Sequence, residues 1–301
     1  MDILITGSSG FLGSATAKEM LSQGHTVFGV DIVPGRYTNI VTDIRQWCLT
    51  NKTRFDVVFQ FAAFVGGREN IEYNYLQIME NVEIDRIVFS WAKKYADRII
   101  YPSSSAVYPV NFQEAEDSAA LAENMVDFST NTVGVSDHLY GWSKLTAERM
   151  LWELNKSTDL KCSVVRPFSG YGVLQSLDYP FPNLFNIVKN NPDNVTVWGT
   201  GNQSRDFVYI DDIISTLNWC MHDTKKYRTV NIGTGISTSF IELIQRMHVA
   251  IHGRECGSII KLIDKPVGVM HRYCNISLQE ELNIMPTTTI QQGIEKFLNG
   301  I

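Results

Sequence analysis

Tyr140 and Lys144 are the two residues of this 301-residue chain whose types and spacing could move a proton. Four residues apart, they share one face of a helix, about one turn from each other. The stretch Leu145-Thr146-Ala147-Glu148-Arg149-Met150-Leu151 predicts the helix that holds them. An ammonium beside a phenol favours the phenolate, so Lys144 is expected to lower Tyr140 from its ordinary value near ~10. A phenol tuned towards neutrality can take a proton from a hydroxyl and return it to a ketone. The same spacing also arises on an amphipathic helix whose tyrosine and lysine only face water, so the rest of the chain must decide.

Several elements would have to position that pair. Ile3-Leu4-Ile5 reads as a buried strand. It is followed by Gly7-Ser8-Ser9-Gly10-Phe11-Leu12-Gly13 and a helical stretch from Ser14 to Gln23. In a strand, glycine turn and helix, the glycines let a pyrophosphate approach the helix N-terminus, where amides and the helix dipole favour anions. The spacing is Gly-x-x-Gly-x-x-Gly, unlike the Gly-x-Gly-x-x-Gly of many dehydrogenases, and its place directly after the first strand gives it weight. Thr26–Asp31 reads as a second strand ending in an acid. A carboxylate there can accept hydrogen bonds from both adenosine ribose hydroxyls and repels a 2′-phosphate, which favours NAD over NADP. Arg36, in the loop beyond, points the other way. Asp56–Ala63 is a third strand, with Phe61, Ala62 and Ala63 at its end. A long helix from about Leu76 to Tyr95 carries Asn81, and Arg98–Tyr101 is a strand running into Pro102-Ser103-Ser104-Ser105. Alternating strands and helices imply a doubly wound, Rossmann-type parallel sheet, whose ligands bind beyond the carboxyl ends of the strands.

The totals are those of an ordinary soluble globular protein and argue against some other classes. The chain is 44% hydrophobic and 19% charged with a formal net charge of −6, which argues against a nucleic-acid surface while leaving room for a local basic pocket. Five scattered cysteines with no Cys-x-x-Cys pair read as reduced thiols of a cytoplasmic protein, and no metal is expected. The first strand begins almost at Met1, which leaves no room for a signal peptide, and no apolar run is long enough to span a bilayer.

Taken together, the motifs resemble the extended short-chain dehydrogenase/reductases that act on nucleotide sugars, over nearly the whole length. The likeness rests on Gly7/Gly10/Gly13, Asp31, Asp43-Ile44, Ala62-Ala63, Ser103–Tyr108, Tyr140–Lys144, Arg166-Pro167-Phe168, Gly199–Asp212 and Asn231-Ile232-Gly233. It implies that Tyr140 is the acid/base, that Lys144 tunes it and holds the nicotinamide ribose, and that Ser104 hydrogen-bonds the reacting hydroxyl. Ser103 and Ser105 stay open as alternatives within the triple serine. NAD is the implied cofactor, held by Gly7, Gly10, Phe11, Leu12, Gly13, Asp31, Asp43, Ile44, Phe61, Ala62, Ala63, Asn81, Ser103, Tyr140 and Lys144. Arg205 and Arg272 match arginines that bind a substrate diphosphate, with Ser104, Ser105, Tyr140 and Ser169 completing the substrate site. An ion pair from Arg205 to Asp206, Asp211 or Asp212 is the competing reading. Ser169 replaces the asparagine usual after Arg-Pro-Phe, so its contact with substrate is expected to be shortened or carried by water. The six histidines show no metal spacing, with His271 set apart only by its place beside Arg272.

The expected organisation is a dinucleotide domain over residues 1–170, with about 207–235 returning to it. A smaller mixed α/β C-terminal substrate lobe is drawn from 171–301. Related enzymes imply a homodimer. Two residues before Tyr108, dehydratases of this family carry a glutamate and GDP-sugar 3,5-epimerases a cysteine; this chain has Ala106. The remaining groups suffice for C4 epimerisation of a nucleotide-diphosphate sugar through a transient 4-ketose. They would equally serve an NAD(P)H-dependent 4-ketoreductase, and Val65-Gly66-Gly67 and Tyr108-Pro109 look more like the GDP-sugar branch. A dehydratase and a non-catalytic dinucleotide-binding relative are the more distant readings.

Overall fold

Ile3, Leu4 and Ile5 are all fully buried, yet they face opposite sides of the chain. Ile3 and Ile5 join a core layer with Ala17, Met20, Ile213 and Leu217, whereas Leu4 joins a second layer with Val30, Trp47, Val88, Ala147 and Leu151. A strand whose successive side chains are all apolar must be covered on both faces, and this one belongs to a sheet clad by helices on each side. The computed structural model describes residues 1–114 and 118–300.

The first part of the chain runs β1 (Asp2–Thr6), α1 (Phe11–Ser22), β2 (Thr26–Asp31), β3 (Ile40–Val41), α2 (Ile44–Thr50) and β4 (Phe55–Gln60). Next come α3 (Arg68–Tyr73), α4 (Tyr75–Tyr95), β5 (Ala96–Pro102), α5 (His138–Ser157) and β6 (Lys161–Pro167). The remainder runs β7 (Ser169–Tyr171), α6 (Pro180–Asn190), β8 (Val195–Trp198), β9 (Ser204–Arg205), β10 (Phe207–Tyr209), α7 (Ile210–His222) and β11 (Tyr227–Ile232). It ends with β12 (Thr238–Ser239), α8 (Phe240–His252), β13 (Ile259–Leu262), β14 (His271–Arg272), α9 (Ser277–Glu281) and α10 (Ile290–Asn299).

Seven strands form one parallel sheet in the order β11-β6-β5-β4-β1-β2-β3. This is the Rossmann-type doubly wound arrangement that the alternation of elements predicts. Late in the sequence, β11 returns to pair with β6, from Tyr227 opposite Cys162 to Ile232 opposite Pro167. Three small sheets, β7 with β10, β8 with β13, and β9 between β12 and β14, build the part beyond the carboxyl edge. Phe181, Val195, Met247 and Phe297 belong to the same apolar layer as Ile3 and Ile5, so the core runs unbroken from the large sheet into the smaller ones.

Element boundaries differ from the sequence reading where local hydrogen bonds intervene. The chain leaves β4 at Gln60 because the Thr6 hydroxyl accepts the N–H groups of both Phe61 and Ala62 at 3.1 Å. That diversion turns Phe61, Ala62 and Ala63 into a loop at the strand end. A short helix, α3, precedes the long one, and α1 starts at Phe11, ahead of the expected Ser14.

Helix α5 is fixed to the sheet by a buried ion pair. Arg166 of β6 donates to both carboxylate oxygens of Glu148, at 3.0 and 2.7 Å, and neither side chain is more than 1% exposed. Replacing Glu148 with Ala leaves a buried guanidinium without its counter-charge, which should cost about 3–5 kcal/mol. The expected fall in melting temperature is roughly 10 °C by scanning fluorimetry; an unchanged transition would contradict this role.

Candidate active site

The carboxyl ends of β1, β2, β4, β5 and β6 open onto a single cavity of about 870 Å³. Gly7, Gly10, Phe11, Leu12, Gly13, Asp31, Asp43, Ile44, Phe61, Ala62 and Ala63 line one end. Ser103, Ser104, Ser105, Tyr140, Lys144 and Ser169 line the middle, and Arg205 and Arg272 the other end. Of the residues expected at the site, Asn81 alone is not at the cavity surface. Its amide accepts from Phe64 N at 2.7 Å and donates to Phe64 O at 2.9 Å, so it pins the loop after β4 from beneath.

The glycine turn has a steric reason. A Cβ on Gly13 would sit 2.0 Å from the carbonyl oxygen of Gly7, which itself has φ of +69°. Helix α1 therefore starts hard against the turn, with no acidic residue in its first turn and no side-chain cap. First-turn amides have no helical carbonyl to bind, so an anion at this end of the cavity would find open donors. Asp31 accepts Ser9 N at 2.9 Å and Val33 N at 3.0 Å and lines the same end, ready for hydroxyl donors. Arg36 is exposed and stacks on Tyr37, 5.5 Å from the ring centroid, and does not line the cavity. The donor set fits a dinucleotide, with the phosphates at the glycine turn and a ribose at Asp31.

Both Tyr140 and Lys144 lie on α5, as their spacing predicts, but the lysine does not tune the phenol in the way expected. Burial pushes the Tyr140 phenol above its ordinary value; the Ser104 hydroxyl, as a hydrogen-bonding partner, and the charge of Arg272 pull it the other way. The Lys144 ammonium is drawn elsewhere. It donates to Pro102 O at 2.9 Å and lies 4.7 Å from the centroid of the Tyr101 ring. Within the triple serine, Ser104 is the one that acts on Tyr140, and its Oγ also accepts from Ala106 N at 3.1 Å. The Oγ of Ser103 is buried without a hydrogen-bond partner.

At the far end, Arg205 makes none of the ion pairs weighed for it. Its guanidinium donates to the carbonyl oxygens of Ser204, Val267 and Met270 at 2.7, 3.1 and 3.3 Å and packs over Phe240. The three nearby acids are engaged elsewhere: Asp206 with Thr234, Gly235 and Cys274, Asp211 with Lys296, and Asp212 with Thr287 and Thr288. Burial and the neighbouring charge of Arg272 push Arg205 down to about 9, as befits a cation lacking its anion.

Two further residues complete this end without having been singled out in the sequence. Arg68, at the start of α3, donates to Asp137 at 3.0 Å and to Glu72 at 2.7 Å. The other oxygen of Asp137 takes Arg272 at 2.8 Å. Burial alone would raise Asp137, but Arg272 and Arg68 outweigh it and hold the carboxyl at about 2. Two signals were available. Arg68 follows Gly66-Gly67 just beyond a strand end, and Asp137 stands three residues, one helical turn, before Tyr140. The glycine is needed because a Cβ on Gly67 would lie 1.7 Å from Asp178 O, where two cavity loops cross. His271, by contrast, shares a 2.8 Å hydrogen bond with the Ser204 hydroxyl and serves the small sheet.

With this geometry in view, comparison with known proteins is direct. Residues 3–233 match the model of the NAD-dependent epimerase/dehydratase family. A putative UDP-glucose 4-epimerase of Methanocaldococcus jannaschii is 27% identical, covering 99% of this chain and 97% of its own. GDP-mannose 3,5-epimerase 1 of Oryza sativa subsp. indica is also 27% identical, over 97% of this chain and 79% of its own. The structure of UDP-glucuronic acid 4-epimerase from Bacillus cereus, with UDP-glucuronic acid and NAD, shares the fold. Its TM-score is 0.81 at 24% identity, covering 100% of this chain and 98% of that one.

Because Arg205 has no carboxylate partner, its removal strands no opposite charge. Arg205→Ala should weaken binding of UDP or GDP about 10- to 100-fold, the worth of charged hydrogen bonds. Arg205→Lys should recover only part, because a point charge replaces a planar fork. Unchanged affinity in isothermal calorimetry would remove Arg205 from the anion site.

Proposed function

We propose, from the premise that the chain belongs to the NAD-dependent epimerase/dehydratase family, that it inverts C4 of a nucleotide-diphosphate sugar through a transient 4-ketose. The observation that carries this reading is the chemistry of the cavity wall. Ala106 stands where the related dehydratases and 3,5-epimerases would have an acid or a thiol. Among the described residues, no cysteine, histidine or glutamate lines the cavity. Of the carboxylates that do, Asp31 and Asp43 lie at the dinucleotide end, and Asp137 is engaged by two arginines. Asp178 is exposed at a loop crossing, where its carboxylate accepts from the Ser176 hydroxyl at 3.0 Å. Burial holds both cavity phenols, Tyr140 and Tyr179, above their ordinary values, so the groups left over suit a hydroxyl proton better than a proton on carbon.

In this reading the Tyr140 phenol takes the proton of the sugar hydroxyl, and Ser104 holds the same oxygen by a hydrogen bond. NAD, when bound, supplies the hydride acceptor and returns the hydride. Burial keeps the free phenol protonated at neutral pH, so the phenolate forms only where positive charge gathers around it. Arg272 supplies part of that field. Arg205 and Arg272 hold the diphosphate, which leaves the sugar beside Tyr140. After the sugar turns its other face, the same phenol gives the proton back.

A reductase acting on a 4-keto sugar would use the same residues, and Val65-Gly66-Gly67 and Tyr108-Pro109 favour a GDP-sugar for either reaction. Incubation with UDP-, GDP- and dTDP-sugars without added cofactor separates the two, because an epimerase regenerates its own NAD. Tyr140→Phe should lower turnover about 10²- to 10⁴-fold while NAD stays bound. Full activity in the folded variant would overturn the assignment, and turnover only with added NADH and a keto sugar would select the reductase.

A further inference from the structure

Near Lys144, and not among the residues that line the cavity, lies a buried carboxylate that the reaction leaves unused. Asp85 of α4 is 2% exposed. One oxygen accepts from the Gln60 side-chain amide at 3.0 Å and the other from the Tyr101 hydroxyl at 2.8 Å. Gln60 cannot reverse its amide, because its oxygen takes the Thr6 hydroxyl and its nitrogen also donates to Ala62 O at 3.0 Å. Both oxygens of Asp85 thus meet groups that can donate; burial pushes its carboxyl up, and Lys144, the Gln60 amide and the Tyr101 hydroxyl pull it back towards the ionised form.

Tyr101 touches both groups: its hydroxyl donates to this carboxylate, and the Lys144 ammonium lies over its ring, 4.7 Å from the centroid. A phenol that donates to a carboxylate carries more electron density in its ring, which strengthens its hold on a cation. The charged and titratable groups around Lys144 are few. Its own helix supplies Tyr140 and Glu148, β5 supplies Tyr101, and α4 supplies Asp85. Glu148 is matched by Arg166. Among the described residues, Asp85 is therefore the buried negative charge left to balance the ammonium.

We propose that Asp85 is a positioning residue for the Tyr140–Lys144 pair: through Tyr101, its charge keeps Lys144 an ammonium within the protein and fixes it in the middle of the cavity. Burial pushes Lys144 down, and Asp85 is the largest influence raising it again. The chain of contacts runs from Thr6, at the foot of the glycine turn, through Gln60 and Asp85 to Tyr101 and Lys144. It links the phosphate-binding turn to the proton-transfer helix through the core. This inference rests on the place of Lys144 in the cavity and not on which sugar is turned over.

Asp85→Asn keeps the volume and can still accept from Gln60; it removes the charge and turns an amide donor towards the Tyr101 hydroxyl, whose oxygen can accept it. The protein loaded with NAD, carrying [13Cε]lysine and with Lys144 assigned from Lys144→Ala, is titrated by NMR. Without the nearby negative charge, Lys144 should lose its proton at a pH lower by about one unit or more. NAD affinity should fall more steeply between pH 7 and pH 9 than in the wild type. A folded Asp85→Asn protein with an unshifted Lys144 midpoint would overturn the proposal, because a merely structural role lowers stability without moving that midpoint. If the variant does not fold, [13Cγ]aspartate spectra of the wild type decide. An ionised Asp85 at pH 7 supports the account and a protonated one overturns it.

Discussion

The pairing of Arg166 with Glu148 is the interaction on which the rest of the site depends. Helix α5 carries both Tyr140 and Lys144, and little in an isolated amphipathic helix would fix its rotation over the sheet to a fraction of a turn. A bidentate bond between two side chains almost wholly removed from water does so. The remaining hydrogens of Arg166 reach the Tyr108 hydroxyl at 3.1 Å, Glu123 O at 3.0 Å and Val126 O at 3.3 Å. The same guanidinium therefore also settles the segment that follows the serines. Tyr108 in turn donates to Asn231 of the returning strand at 2.6 Å, so the sheet edge, the serine turn and the helix are fixed together.

Charge is distributed along the cavity in a way that the net charge of the chain conceals. One end offers the helix terminus and Asp31, suited to a pyrophosphate flanked by ribose hydroxyls. The other gathers Arg68, Arg205 and Arg272 around the single shared carboxylate of Asp137, with Glu72 answering Arg68 from one side. Arg205 stays unmatched because Asp206, its sequence neighbour, is fully buried and turned towards backbone amides at 2.8, 2.9 and 3.1 Å. An anion entering there meets a cation whose partners are only carbonyl dipoles. A chain with formal net charge −6 thus holds, at this end of its cavity, an arginine with no carboxylate partner.

Much of this is legible in the amino-acid order, for identifiable reasons. Strands buried on both faces must be continuous apolar runs, so β1, β2 and β5 can be read directly. Gly7 and Gly13 betray the turn because no side chain fits there. Tyr140 and Lys144 reveal their helix because the 3.6-residue period is strict. Long-range partnership is not legible. Three acids close behind Arg205 suggest an ion pair, and only the fold shows each of them engaged elsewhere. Spacing alone sets Lys144 to act on Tyr140, yet burial of the phenol and the pull of Pro102 O, Tyr101 and Asp85 come from strands and a helix distant in sequence. Asn81 falls at the right place in the motif order, but the direction of its side chain depends on how the loop after β4 is drawn under Thr6. Arg68 after its glycine pair and Asp137 one turn before Tyr140 leave only local signals, and the two become partners only when the start of α3 meets the start of α5.

The account holds that this cavity moves a hydride and a hydroxyl proton and takes no proton from carbon. Turnover of its nucleotide sugar in deuterium oxide, followed by proton NMR and mass spectrometry, tests that claim most directly. The expected product is inverted at C4, with no deuterium on any ring carbon and no change of mass once exchangeable hydroxyls are returned to protons. Deuterium at C3 or C5 would show a base acting on carbon and would contradict the account.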